Sequence, residues 1–122
     1  MISRRQFAVL LVAALSFPSL MVAPRAADEF VPGFEDLPLA PGLTAVPDAA
    51  MSFDSAGGRI VESLATGRID AGSVADFYAR TLPQLGWQQA DEGTYRREGE
   101  ELVIEIARSG GVLTVRFALT PR

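Results

Sequence analysis

The stretch from Asp70 to Trp87 limits the fold more than any other part of the sequence. Its apolar residues recur at intervals of three and four, which is the spacing of one face of an α-helix. These residues are Val74, Phe77, Tyr78, Leu82 and Leu85. Asp70 is a suitable N-cap and Gly86 a suitable C-terminal stop, while Pro83 predicts a kink or a tightened last turn. Trp87 should then fold back beneath the helix as a large core residue.

The residues on either side of this helix alternate in the manner of β-strands. Strands are predicted at 51–54 and 59–66 before the helix, and four more follow it. The last two are joined at Gly110-Gly111, a two-residue turn that places Glu105 opposite Arg116. The order β-β-α-β-β-β-β predicts an α+β domain. In it, one amphipathic helix packs on one face of a mainly antiparallel, twisted sheet.

Residues 1–27 have the organisation of an export signal. A pair of arginines precedes an apolar run from Phe7 to Leu15, and small residues follow. Ser3-Arg4-Arg5-Gln6-Phe7 closely resembles the twin-arginine signal, which directs folded proteins across the bacterial inner membrane. This resemblance implies a periplasmic protein. The alternative is an uncleaved spanning helix, but Pro18 and the shortness of the apolar run disfavour it, so we expect no stable membrane insertion after cleavage.

Residues 28–48 form a proline-rich leader before the predicted domain of residues 49–122. Its four prolines favour an extended, polyproline-like geometry and forbid a helix. The leader is more apolar than an ordinary spacer. We therefore expect Leu37 to Leu43 to lie against the domain along a sheet edge, and the segment before Phe34 to be loose. A flexible linker is the alternative.

The end of the helix carries a second resemblance. Phe77-Tyr78, Leu82 and Gly86-Trp87 form an F-Y-x3-L-x3-G-W pattern. It resembles small exported bacterial envelope proteins of uncharacterised function, in which such a helix end precedes a β-meander. The stretch Leu37–Leu43 is similar to the proline-glycine entry of those domains. The resemblance implies the α+β fold and brings no activity with it.

The composition removes most catalytic chemistry. The 122 residues include no cysteine and no histidine, and all 11 basic residues are arginine. Disulfides, thiolate nucleophiles, imidazole bases and Schiff-base lysines are therefore absent, and the sequence predicts no catalytic, cofactor-binding or metal-binding residue. From Asp28 onward, eight arginines face 15 acids, a balance that makes nucleic acid and anionic lipid poor partners.

Recognition is the function that these exclusions leave. One predicted sheet face mixes apolar residues with a charged pair: Val103, Glu105, Val112, Thr114 and Arg116. We expect this face to stay partly open and to meet an envelope protein, or a sheet edge to accept an extended peptide. The sequence thus favours a non-enzymatic periplasmic binding or accessory module, and it does not separate this from a stability or assembly factor of the envelope. The alternative is a carboxylate-based hydrolase of an envelope glycan or ester, with Asp54 and Glu62 as its acids.

Overall fold

The computed structural model describes residues 29–122, so the predicted export signal at residues 1–27 lies outside the described part. Within this part, one α-helix and an antiparallel sheet of seven strands establish the α+β class. The helix α1 spans Ala71–Thr81, and a 3-10 turn follows at Leu82–Leu85. The strands are β1 (Thr44–Ala45), β2 (Met51–Ser55), β3 (Gly58–Gly67), β4 (Gln88–Asp91), β5 (Thr94–Arg97), β6 (Glu100–Ser109) and β7 (Val112–Pro121). The short strand β1 is an addition to the predicted elements.

The strands lie side by side in the order β1-β3-β7-β6-β5-β4, and β2 also pairs with β3. Strand β7 pairs with one side of β3. Strands β1 and β2 both pair with its other side, one after the other along β3, and together they form one edge of the sheet. The opposite edge is β4. Between β3 and β4 the chain forms α1, and this helix crosses one face of the sheet. We call that side of the sheet the covered face.

The covered face holds the hydrophobic core. Side chains alternate between the two faces of a strand, and one set from β6 and β7 is buried here. This set consists of Leu102, Ile104, Leu113, Val115, Phe117 and Leu119. Val74, Tyr78 and Leu82 from the helical stripe are buried in the same cluster, with Phe77 and Leu85 partly buried against it. Trp87, which is 4% exposed, completes the cluster beyond the helix.

Local chemistry fixes both ends of the helical segment. The Asp70 carboxylate accepts a hydrogen bond from the backbone N–H of Ser73 at 3.3 Å, which confirms the predicted N-cap. Pro83 coincides with the tightened 3-10 turn, also as predicted. Gly86 has a φ of 90°, and it ends the segment because glycine adopts this left-handed conformation without a steric penalty. No helix within residues 29–122 is long and apolar enough to cross a membrane.

The leader enters the core at Val31, the third described residue. The backbone N–H of Val31 donates to the carbonyl of Leu37 at 2.8 Å, and the Val31 side chain is only 1% exposed. The prediction of a loose segment before Phe34 is therefore wrong. Leu37, Leu39 and Leu43 are buried against the domain, but it is β1 that pairs with the sheet edge. Burial of these apolar side chains outweighs the freedom of a proline-rich chain.

Two polar clamps fasten the leader. The Tyr78 hydroxyl donates to the carbonyl of Pro38 at 2.9 Å and accepts from the N–H of Ala40 at 3.1 Å. Burial raises the pKa of Tyr78 above its ordinary value of 10. The second clamp is Arg97, whose guanidinium donates to the Asp36 carboxylate at 2.7 and 3.3 Å. Each clamp joins segments that are far apart in the sequence.

Candidate functional site

The sheet face turned away from α1 is the candidate site, and we call it the open face. The pairing register decides which residues belong to it, because residues directly opposite each other share a face. On β2 and β3 these are Met51, Phe53, Ile60, Glu62 and Leu64. On β6 and β7 they are Val103, Glu105, Ala107, Val112, Thr114, Arg116 and Ala118. Neither α1 nor the described leader covers this face, and most of its side chains are partly or fully exposed.

All five residues of the predicted binding face lie on the open face. Val103 opposes Ala118, and Glu105 opposes Arg116 as the two-residue turn predicted. Thr114 opposes Ala107, and Val112 pairs with Ser109 at the end of the hairpin. The structure therefore brings these residues together on two adjacent strands.

A charged cluster stands at the centre of the open face. Arg116 forms ion pairs with Glu62 on β3 and with Glu105 on β6, the latter at 3.2 Å. The hydrogen bond with the Glu62 carboxylate raises the pKa of Arg116. In the same way, Arg96 pairs with Glu101 at 3.2 Å. Exposed pairs of this kind contribute only about 0–1 kcal/mol to stability, so their main effect is to fix the positions of the charges.

Apolar side chains flank this cluster on the edge strand β2. Met51 is 55% exposed and Phe53 is 52% exposed, and both lie on the open face. A depression of about 170 Å³ is lined by Met51 together with Glu62 and Arg116. The predicted binding face omitted these two residues. The sequence feature that could have placed Met51 and Phe53 on this face is the two-residue loop after Ser55, because it fixes the register of β2 against β3.

The two acids of the hydrolase hypothesis do not converge. Asp54 pairs with Arg59, whereas Glu62 pairs with Met51. This register puts Glu62 on the open face and Asp54 on the opposite side of the sheet, since adjacent strand positions point to opposite faces. The proposed acid pair is therefore wrong. Residues 29–122 also contain no group of three or more acids positioned to hold a metal ion.

Two further recesses occur among the described residues, and the larger reaches Arg96 at the edge of the open face. The larger, of about 800 Å³, is lined in part by Arg97, which is already held by Asp36 and stacks 4.3 Å from the Trp87 ring. The smaller, of about 380 Å³, is a groove between α1 and the sheet, and the Tyr78 hydroxyl on its wall is engaged by the leader. Neither lining includes a serine or threonine. The hydroxyl groups of these two linings therefore come from tyrosines, Tyr78 and Tyr95 in the smaller recess.

Comparisons of the chain with protein-family models, with curated proteins and with solved structures give no match. The functional proposal therefore rests on the geometry of the described residues and on the sequence.

Proposed function

We propose that this protein is a non-enzymatic binding module of the bacterial periplasm, and that its open face docks a protein of the cell envelope. One observation carries the proposal: Met51 and Phe53 are more than half exposed beside a fixed charged cluster. Aromatic residues, methionine and arginine are enriched where proteins bind each other. The open face combines all three.

The apolar and charged parts of the open face have different roles in this proposal. Fully burying a Phe or Met side chain stabilises a complex by about 1.5–3 kcal/mol, and roughly half of that remains available at Met51 and Phe53 because they are half-exposed. The Arg116 cluster contributes less affinity, but it sets the charge pattern that a partner has to match. The partner surface is therefore expected to be apolar opposite β2 and polar opposite Arg116.

The proposed architecture agrees with these separate roles. A single amphipathic helix packs on the covered face and forms the core there, so the open face contributes less to stability. Sheets of this kind commonly bury one face and expose the other. An exposed face with a cluster of apolar side chains larger than scattered single residues indicates an interaction site.

Site-specific photo-crosslinking in living cells tests the docking surface. A crosslinking side chain replaces Phe53 or Thr114 on the open face, and a matched control replaces Ala79, which is exposed on α1. We expect both open-face positions to give an adduct with one other envelope protein and the control to give none. Equal adducts from all three positions, or adducts that contain only this chain, would contradict the proposal.

Localisation needs a separate test, because the residues that support it lie outside the described part. The twin-arginine resemblance predicts that Arg4→Lys combined with Arg5→Lys abolishes export. Cell fractionation should then find the protein in the cytoplasm rather than the periplasm. Normal periplasmic accumulation of the double variant would count against the twin-arginine route, while loss of export by a variant lacking the apolar run would still support a signal peptide.

A further inference from the structure

The edge of the sheet at β2 presents an unblocked pairing surface. All five residues from Met51 to Ser55 are exposed, and among the described strands β2 pairs only with β3. Proteins usually protect such edges with a bulge, a proline, charged side chains or a very short strand. Strand β2 carries a single charge, Asp54, and it lies opposite Arg59 on β3. The opposite edge, β4, has a register shift between Gln89 and Asp91. The register of β2 against β3 is uninterrupted.

The hairpin geometry identifies which backbone groups of β2 face outward. Ser55 and Gly58 flank a two-residue loop, and residues in that position exchange both of their backbone hydrogen bonds. The bonding alternates along the strand from there, so Phe53 is also bonded toward β3. The backbone N–H and C=O groups of Ser52 and Asp54 therefore point away from the sheet and are available to another strand.

We propose that β2 pairs with β2 of a second copy of this chain, antiparallel and centred on Phe53. In this register Ser52 of each copy opposes Asp54 of the other, and each such pair exchanges two backbone hydrogen bonds. Phe53 opposes its own counterpart on the open face, which forms an aromatic cross-strand pair. The seven-stranded sheets of the two copies then become one continuous sheet.

Charge and shape both fit a second copy. No like charges lie directly opposite each other, because Asp54 meets a serine across the new interface and already faces Arg59 on β3. The residues that flank β2 are small, namely Ala49, Ala50, Ala56 and Gly57, so they leave room for the second strand. A five-residue edge buries less surface than a standard interface of about 1,600 Å², and we therefore expect a dissociation constant on the order of micromolar or weaker.

The symmetry of this pairing has a consequence for the open face. An antiparallel pair centred on one residue has a two-fold axis perpendicular to the sheet. Both open faces then lie on the same side, and both helices lie on the other. The dimer would present a docking surface of twice the width. The inference does not depend on the proposed envelope partner and can fail without affecting it.

A proline substitution separates strand pairing from other kinds of association. Asp54→Pro removes an outward N–H that β3 does not use, and edge strands tolerate proline at such positions. Sedimentation equilibrium over a concentration series should show the unmodified protein moving from monomer to dimer and Asp54→Pro remaining monomeric. The control, Asp54→Asn, keeps the N–H and should still dimerise. Circular dichroism checks that each variant is folded.

A cysteine scan tests the register even if the proline variant does not fold, since the chain has no cysteine of its own. Phe53→Cys places two thiols on the two-fold axis, where Cα atoms lie about 4.5 Å apart and a disulfide can form. We expect a linked dimer under mild oxidation for Phe53→Cys and none for Ser52→Cys or Ala79→Cys. A monomer at every concentration, equal linking at all three positions, or a dimer in a folded Asp54→Pro variant would overturn the proposal.

Discussion

The two faces of the sheet are built by the same strands, but their side chains have opposite characters. In β7, Leu113, Val115 and Phe117 are fully buried on the covered face. Thr114 and Arg116 alternate with them and remain partly exposed on the open face. Stability is thus concentrated on one side of the sheet, and the other side contributes less to it. Substitutions on the two sides should therefore differ in what they damage.

Trp87→Ala is expected to have the largest effect on stability. The indole is nearly buried, and its ring also receives the Arg97 guanidinium at 4.3 Å. Removing a buried aromatic side chain leaves a cavity and costs about 3–5 kcal/mol of unfolding free energy. Urea denaturation of the variant and of the unmodified protein measures this difference. Gln88→Ala, at the exposed next position, is the control, and an unchanged midpoint for Trp87→Ala would contradict the assigned core.

Tyr78→Phe should cost less, because it keeps the ring and removes only the hydroxyl. The variant leaves the buried N–H of Ala40 without its partner, and such a loss costs about 1–3 kcal/mol. We expect urea denaturation at neutral pH to show this decrease. An unchanged unfolding free energy would mean that the hydroxyl does not fasten the leader.

The same pair of proteins should respond differently to alkaline pH. Because burial raises the pKa of Tyr78, the unfolded chain releases this proton more easily than the native protein does. The contribution to stability is complete below the ordinary pKa of about 10 and decreases as the pH rises above it. The unmodified protein should therefore lose stability above about pH 10 more steeply than Tyr78→Phe does. Tyr95, whose pKa burial also raises, is present in both proteins and cancels in the comparison.

Asp36→Asn should have a smaller and pH-dependent effect. The hydrogen bonds from Arg97 hold the pKa of Asp36 below its ordinary value of 3.8. A carboxyl with a lowered native pKa stabilises the fold above its unfolded pKa and loses this contribution as the pH falls. The side chain is 49% exposed, so we expect a loss below about 1 kcal/mol at neutral pH. The difference between the two proteins should shrink as the pH falls below 3.8 and disappear once the pH is below the lowered native pKa, as urea denaturation at several pH values can show. Glu35→Gln, one residue away, is the control.

Predictions from local signals agreed with the structure. The N-cap at Asp70, the 3-10 turn at Pro83 and the pairing of Glu105 with Arg116 each depend on residues close together or on a short hairpin. The burial of Val31 was missed, because clamps such as Tyr78 to Pro38 join residues 40 positions apart and leave no periodic pattern in the sequence. Long-range contacts of this kind decide where a proline-rich segment lies.

The candidate site also contains residues that the sequence pattern places on the correct face and residues that it does not. Alternation along the final hairpin was enough to place Val103 and Arg116 on one face, because both strands of that hairpin also carry a clear apolar set. Strand β2 is exposed throughout and has no buried set to orient it. The face of Phe53 therefore follows only from register, and the same register separates Asp54 from Glu62, because it places them on opposite faces of the sheet.

Phe53→Ser should have a small effect on stability and the clearest effect on binding. The ring is 52% exposed on the open face, so its removal should cost at most about half of the 1.5–3 kcal/mol that full burial of a Phe contributes. Phe117→Ser is the matched control on the covered face, where the loss of a fully buried ring should cost about 3–5 kcal/mol. Urea denaturation measures both, and crosslinking from position 114 then measures docking in the folded Phe53→Ser variant. A large loss of stability in that variant would show that the open face also supports the fold, and undiminished crosslinking would remove Phe53 from the docking surface.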